Sequence, residues 1–455
     1  MENSAGVSYF QNDWANHTTL HPLGLAVLLI SATSLLLVPR RFAVWPIFVI
    51  VLFVASAQRL IIFGADFDFL RILSCVGILR VLINREYSHF RVNRVDVWVV
   101  AWTIVAFAMP VIRLGPGSGV FVTRLGFAVD VLGQYFLFRF LFRDWDDVLE
   151  LSRCLAILAI PVSAFFMLES STGRNLFAVL GGLPEITPIR DGRLRCQGAF
   201  GHSILAGCFW AAAMPVIAMQ WWRKRRILVG FGCICALFIV YASASATPLL
   251  CVLAVVSAAF LYFVRKYVWL LRWGVVATLI VLHFSMEAPV WHLIARTGFL
   301  GGSSWHRYVL VNGAITHFHE WWLMGSSIGT AHWGHFAFDV TNYYIVQAVH
   351  GGVLQLAMFI GLIVVVFMEI GRTIRRRDLS KVESYMVWAV GVAAFGHAVN
   401  WFGVSYFGQI WAGWYAVLGI VANLPRLVAK DSERKGALVY VPPTTSSNWQ
   451  EASIR

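Results

Sequence analysis

Charge is what this sequence has least of. Asp, Glu, Lys and Arg make up 13% of its 455 residues, against about 25% in an ordinary soluble domain. A chain with so little charge cannot cover a water-facing surface, and its mean hydropathy is +0.71. Residues 1–20 hold no Lys or Arg. The positive n-region of a cleavable signal peptide is therefore missing, and the first apolar run is expected to stay as a span. Of the seven cysteines only Cys196 falls clearly in a loop, and Cys233 and Cys235 fall mid-span, so no disulfide framework and no cysteine zinc site is expected. No HExxH occurs. The spacings His317, His319, Glu320 and His332, His335 are not zinc signatures, so no metal and no cofactor are expected. No internal repeat is visible, which weighs against an inverted-repeat transporter.

What the sequence does have is long apolar runs, 59% of it being hydrophobic. Thirteen runs, near 22–38, 43–62, 67–84, 96–113, 119–138, 154–168, 203–222, 226–242, 247–264, 268–284, 350–370, 384–402 and 407–424, suit spanning helices. They are continuous rather than alternating, which favours helices over a barrel. The expected fold is an all-α polytopic integral membrane protein of about 12–13 transmembrane helices. Residues 1–427 form one membrane domain, and 428–455 form a polar, disordered cytoplasmic tail. The net charge of +13 is spread over short connectors and does not point to nucleic acid.

The connectors alternate. Arg40/Arg41, then Arg85/Arg91/Arg94, Arg139/Arg143/Arg153, Arg223–Arg226, Arg265/Lys266, Arg372–Lys381 and Arg426/Lys430 follow every second span, while 64–68, 115–119, 243–247 and 404–409 carry almost no positive charge. The positive-inside rule then puts the N-terminus outside (periplasmic, in a bacterial inner membrane) and the C-terminus in the cytoplasm. Arg59, Arg71, Arg80, Arg113, Arg124 and Asp130 lie in or at the ends of spans, where ionisable groups are costly and need partners. Arg124 and Asp130, six residues apart on one helix, point away from each other.

Two outer-face connectors are long, 169–202 and 285–349, and both carry arginine: Arg174, Arg190, Arg193 and Arg195 in the first, Arg296 and Arg307 in the second. Long loops in compact folds are commonly functional. A guanidinium fork matches phosphate oxygens two at a time, so a lipid diphosphate suits these residues. The bland alternative is that they snorkel to headgroups or pair with Glu185, Asp191, Glu287, Glu320 and Asp339. Trp305, Trp321, Trp322 and Trp333 suit either sugar stacking or an interfacial belt.

Three stretches, RLRCQGAFGHSILAG (193–207), YASASATPLL (241–250) and the segment from Trp305 through DVTNYYIVQAVHGGVLQL (339–356), resemble the O-antigen ligase / O-antigen polymerase superfamily of bacterial membrane glycan transferases. The resemblance covers roughly 190–370. It implies a GT-C-like fold and a polyprenyl-diphosphate-linked glycan donor. It also implies metal-independent transfer to a glycan or lipid acceptor hydroxyl, with membrane lipids as surroundings. By the same resemblance Arg195 and Arg307 hold the diphosphate, and Asn342 and Tyr343 match the last motif; Arg193 and Trp305 are further candidates for binding substrate. The family's histidine before that Asn is Thr341 here, and a threonine hydroxyl is no general base near neutral pH. His350 falls on the face opposite Thr341 and shares Tyr343's face; His335 and Asp339 are the loop-side candidates. A ligase is the first reading, a polymerase of the same superfamily the second. A transporter of an anion or lipid-linked glycan and a scaffolding subunit of an export system are the readings from other classes.

Overall fold

The computed structural model describes residues 17–439 apart from 63, 89 and 297–302. It is mostly helical with two small hairpins, consistent with an all-α polytopic membrane protein. In chain order the elements are α1 (Pro22–Leu37), α2 (Val44–Phe53), the strands β1 (Arg59–Ile62) and β2 (Ala65–Asp68), α3 (Phe69–Ile83), α4 (Arg94–Leu114), α5 (Val120–Leu141) and α6 (Trp145–Thr172). The strands β3 (Ile189–Arg190) and β4 (Arg193–Leu194) follow, then α7 (Ser203–Ala218), α8 (Arg226–Ala242), α9 (Ala246–Phe260) and α10 (Val268–Ser285). The short α11 (Leu293–Arg296), α12 (Ser303–Thr316) and α13 (Phe318–Trp321) precede α14 (Tyr343–Ile374), α15 (Lys381–Asn400) and α16 (Ile410–Val439). Eight helices, counted among the described residues, are long and apolar enough to cross a membrane, and α1, α8 and α9 are shorter apolar helices.

Three expectations need correction. The run 43–62 is not one span. Helix α2 has 10 residues, about 15 Å, half of the roughly 30 Å hydrocarbon layer. The chain leaves it in extended conformation at Val54 and turns into the β1–β2 hairpin, Arg59 opposite Asp68. The sixth helix is long, 28 residues, because Asp144 and Asp147 close a capping box that starts it at Trp145. The residues after 428 are not disordered throughout: α16 continues as helix to Val439, and 440–455 lie outside the described residues.

The polar contacts sort the connectors into two sets. In one, Arg40 bonds Asp144 (3.3 Å) and Asp147, Arg143 bonds the Glu86 carbonyl, the Asn93 amide donates to the Ala422 carbonyl (2.6 Å), and the Tyr262 hydroxyl donates to Ser384 (3.2 Å). In the other, Thr19 bridges Arg59, Gln409 donates to the carbonyls of Val54 (2.6 Å) and Ala199 (2.9 Å), the Cys196 amide donates to the Ala242 carbonyl (3.1 Å), and Arg113 donates to the Met324 carbonyl (2.9 Å). The first set contains the arginine-rich connectors and the second the arginine-poor and long ones. Between them the core is apolar and aromatic, with Trp102, Trp210, Trp401 and Trp414 fully buried. Helix α10 has no buried residue and turns an apolar surface outward on all sides.

Candidate functional site

The first long loop is built around one carboxylate. Glu169, near the end of α6 and 2% exposed, accepts hydrogen bonds from the Gln197 amide (3.0 Å), the Gly198 amide (2.9 Å) and the Thr187 hydroxyl (3.1 Å). Asn175 adds a bond to the Gly198 carbonyl (2.9 Å). From this anchor the β3–β4 hairpin projects. Asp191 (φ 51°) and Gly192 (φ 73°) form its two-residue turn, the Asp-Gly pair that such a left-handed turn favours. Arg190 and Arg193 face each other across the hairpin. Arg193 lies over the Tyr241 ring at 4.6 Å and donates to the Tyr241 carbonyl (3.3 Å). Arg195 turns inward.

Arg195 Nη2 donates to Ser245 Oγ at 3.1 Å, and Arg307, on α12, donates through Nη2 to Thr247 Oγ1 at 2.8 Å. Ser245 is the N-cap of α9 and Thr247 lies in its first turn, two residues on, so the start of α9 gathers an arginine from each long loop. Among the described residues neither guanidinium forms an ion pair with a carboxylate, and the Nε of each is buried without a hydrogen-bond partner. Burial pulls both below the usual guanidinium pKa, and Arg190 adds to the effect on each; both remain charged. His202 caps α7, its Nδ1 accepting from the Ile204 amide (3.1 Å). Burial, then the charges of Arg195 and Arg190, push it down to about 3, so it is neutral at physiological pH. The site is therefore a partly buried, strongly positive corner held by hydroxyls.

The other predicted residues divide. His306, beside Arg307, donates from Nε2 to the Asp339 carbonyl (3.0 Å), which ties the approach to α14 onto α12. Burial raises the Asp339 carboxyl above its usual range, with His306 opposing. Thr341 follows within the same turn, its amide bonded to the Asp339 carbonyl (3.0 Å). Asn342 is the N-cap of α14: its Oδ1 accepts from the amides of Tyr344 (3.0 Å) and Ile345 (3.3 Å). That uses its side-chain oxygen in the cap of the helix. His335 is exposed, its ring on Phe336 (4.0 Å between centroids), and Trp305 is exposed beside Tyr308 (5.1 Å).

Tyr343 and His350 lie elsewhere, in a cavity of ≈ 380 Å³ whose lining includes Arg124, Asp130, Gln347 and Gln355. The lining does not include Arg195, Arg307 or Asp339. The partner of Asp130 is Arg71, which donates from Nε (2.7 Å) and Nη2 (2.6 Å). His397 and Asn400 are not in the cavity lining, but Tyr406, which they meet, is. They meet the Tyr406 hydroxyl at 2.9 and 3.0 Å in the core.

Glu169, Ser245, Thr247 and His202 are the residues sequence reasoning missed as individuals. The serine-rich link was visible as a stretch, but nothing in its spacing says which hydroxyl meets which arginine. No protein-family model matches the chain, and no curated protein does. The resemblance to the ligase/polymerase superfamily is therefore a resemblance of the short stretches quoted above and no more.

Proposed function

We propose that the protein is a membrane glycan transferase of the O-antigen ligase type, GT-C-like in fold, working at the periplasmic face of a bacterial inner membrane. The observation that carries this reading is the pair of guanidinia, one from each long loop, fastened to neighbouring hydroxyls and lacking carboxylates. The donor is a glycan on polyprenyl diphosphate. The acceptor hydroxyl oxygen forms a bond to the anomeric carbon as the bond from that carbon to the diphosphate oxygen breaks. The electron pair leaves with the diphosphate, and Arg195 and Arg307 stabilise the charge that develops there. The acceptor proton passes to a base, and Asp339 is assigned that role, because its raised pKa suits proton acceptance better than Thr341 and it is tied to the helix carrying Arg307. A single displacement of this kind inverts the anomeric configuration. Asn342 becomes a positioning residue, holding the start of α14.

Transport of an anion or lipid-linked glycan is the second reading. It is favoured by Arg124, which lines the cavity with no ion-pair partner among the described residues. The test is transfer by the purified chain in nanodiscs, given a polyprenyl-diphosphate oligosaccharide with and without lipid A-core. A single product that needs lipid A-core means a ligase, and a ladder without it means a polymerase. No consumption of donor, with counterflow of labelled substrate in proteoliposomes, overturns both in favour of transport.

A further inference from the structure

The second long loop has its own small core, separate from the main one, in which Leu310, Trp321, Trp333 and Ala337 are buried. At its edge three side chains converge that the sequence keeps apart. His317 follows the end of α12, Glu320 is in α13, and His332 comes twelve residues later on the turn 331–333. One candidate donor atom from each lies within 4.8 Å of the others. His332 Nε2 sits 2.8 and 3.0 Å from the two Glu320 carboxylate oxygens.

The surroundings are what a metal site needs. His317 Nδ1 donates to the Gly313 carbonyl at 3.0 Å, which leaves the Nε2 lone pair as its ligand atom; ligating histidines are commonly oriented by such a bond. Glu320 Oε2 accepts from Trp333 Nε1 at 3.1 Å, an outer bond that fixes the carboxylate. The His317 ring stacks on Trp333, 5.7 Å between centroids and 13° between planes, so the ring is held by packing as well.

We propose that His317, Glu320 and His332 form a divalent transition-metal site, of the zinc class, that braces the second long loop. Two imidazoles and one carboxylate, with water in a fourth position, suit tetrahedral zinc. Bonds of about 2.0–2.2 Å place ligand atoms about 3.3 Å apart, so closure requires the widest pair to approach by roughly 1.5 Å. The role is structural. His317 is ten residues beyond Arg307, about 15 Å along the chain of α12, too far for the ion to touch a group held by that arginine. The metal instead staples the end of α12 to α13 and to the turn that leads to Asp339. It does not depend on the transfer reading. The sequence hid it because the third ligand comes from a separate turn and the i, i+3 pair alone is no signature.

The test is zinc titration of the full-length chain, purified with chelator and then freed of it, by isothermal calorimetry, with hydrogen exchange read over 313–339. The wild type is expected to bind one equivalent and to gain protection there. His332→Gln, which keeps a hydrogen bond to Glu320, and Glu320→Gln are expected to weaken binding by more than about tenfold, the scale on which even an outer-sphere loss is felt. His335→Gln is expected to bind as wild type. Equal affinity in all four proteins, or no saturable binding in the wild type, overturns the site and leaves a hydrogen-bonded His–Glu cluster.

Discussion

On the face built from the arginine-rich connectors, Arg139 meets Asp96 at 3.0 Å and also bonds Asn423, while Arg80 meets Glu86 at 3.2 Å and the carbonyls of Leu35 and Val38. Asp96 serves three times, as acceptor for Arg139, as acceptor for the Tyr135 hydroxyl (2.5 Å) and as the N3 residue of the capping box that starts α4. On the opposite face Arg59 and Arg71 are treated the same way, by Asp66 and Asp130. Arg195 and Arg307 are not. They are nearly as sequestered, yet their partners are a serine and a threonine. A neutral hydroxyl orients a guanidinium without neutralising it. The first group of arginines is consumed by the fold; the second keeps its charge for something that is not protein.

That contrast can be broken from either side. The largest effect is expected on the structural side. Arg139→Ala leaves Asp96 buried without its charge partner, which costs about 3–5 kcal/mol, and the yield of folded protein in a thermal or detergent-resistance assay should collapse. Arg195→Ala and Arg307→Ala should leave that assay nearly unchanged and cut glycan transfer by about 10²–10³-fold, as for loss of one donor to a developing anion. Glu169→Gln sharpens the comparison, since it weakens the anchor beneath Arg195 without touching either guanidinium. Hydrogen bonds to a charged group are worth about 1.5–3 kcal/mol, so protease nicking within 173–202 should rise and transfer should fall together.

A pH profile tests the base. The Asp339 carboxyl is raised, so the basic form is present above its shifted pKa and lost as pH falls through it. The acid limb of kcat/KM should therefore lie above the ordinary aspartate value, and Asp339→Asn should remove that limb along with the activity. The smallest effect belongs to Asn342→Ala. A lost N-cap costs about 1 kcal/mol, visible as a drop in Tm, and Asn342→Asp should restore it. A cap that Asp restores in stability and activity alike separates positioning from substrate contact.

Much of the helical layout was legible because apolar runs and arginine punctuation are both local signals. All thirteen runs contain a helix, and the polar contacts sort the connectors by the same alternation. The failures have physical causes. Hydropathy does not separate a short helix followed by an apolar strand from one span, so RLII at 59–62, strand β1 in the fold, looks like helix from sequence. The capping box at Asp144 and Asp147 was readable and would have lengthened the sixth helix. The kink in α14 at Gly351 and Gly352 (φ 71°) was written in a Gly-Gly pair: the Val353 amide there reaches the Trp322 carbonyl at 2.8 Å, and a Cβ at Gly352 would press on the Leu323 carbonyl. The Asp-Gly turn between Arg190 and Arg193 was a hairpin signal in plain view. The site was legible as residue types but not as an assembly. That Arg195 and Arg307 hang from hydroxyls two residues apart, while Tyr343 and His350 line a different cavity, depends on contacts across 50 and 60 residues of chain.

The most direct measurement is binding of a short-chain polyprenyl diphosphate to the full-length protein in nanodiscs, followed by phosphorus NMR, in wild type, Arg195→Ala, Arg307→Ala and Arg71→Ala. Two guanidinia that keep their charge for an anion predict saturable binding that weakens about tenfold or more with each of the first two substitutions. The third, in folded protein, should leave the affinity unchanged, because Arg71 is already neutralised by Asp130. Equal affinity in wild type, Arg195→Ala and Arg307→Ala would contradict the account, and would make these two arginines structural like the others.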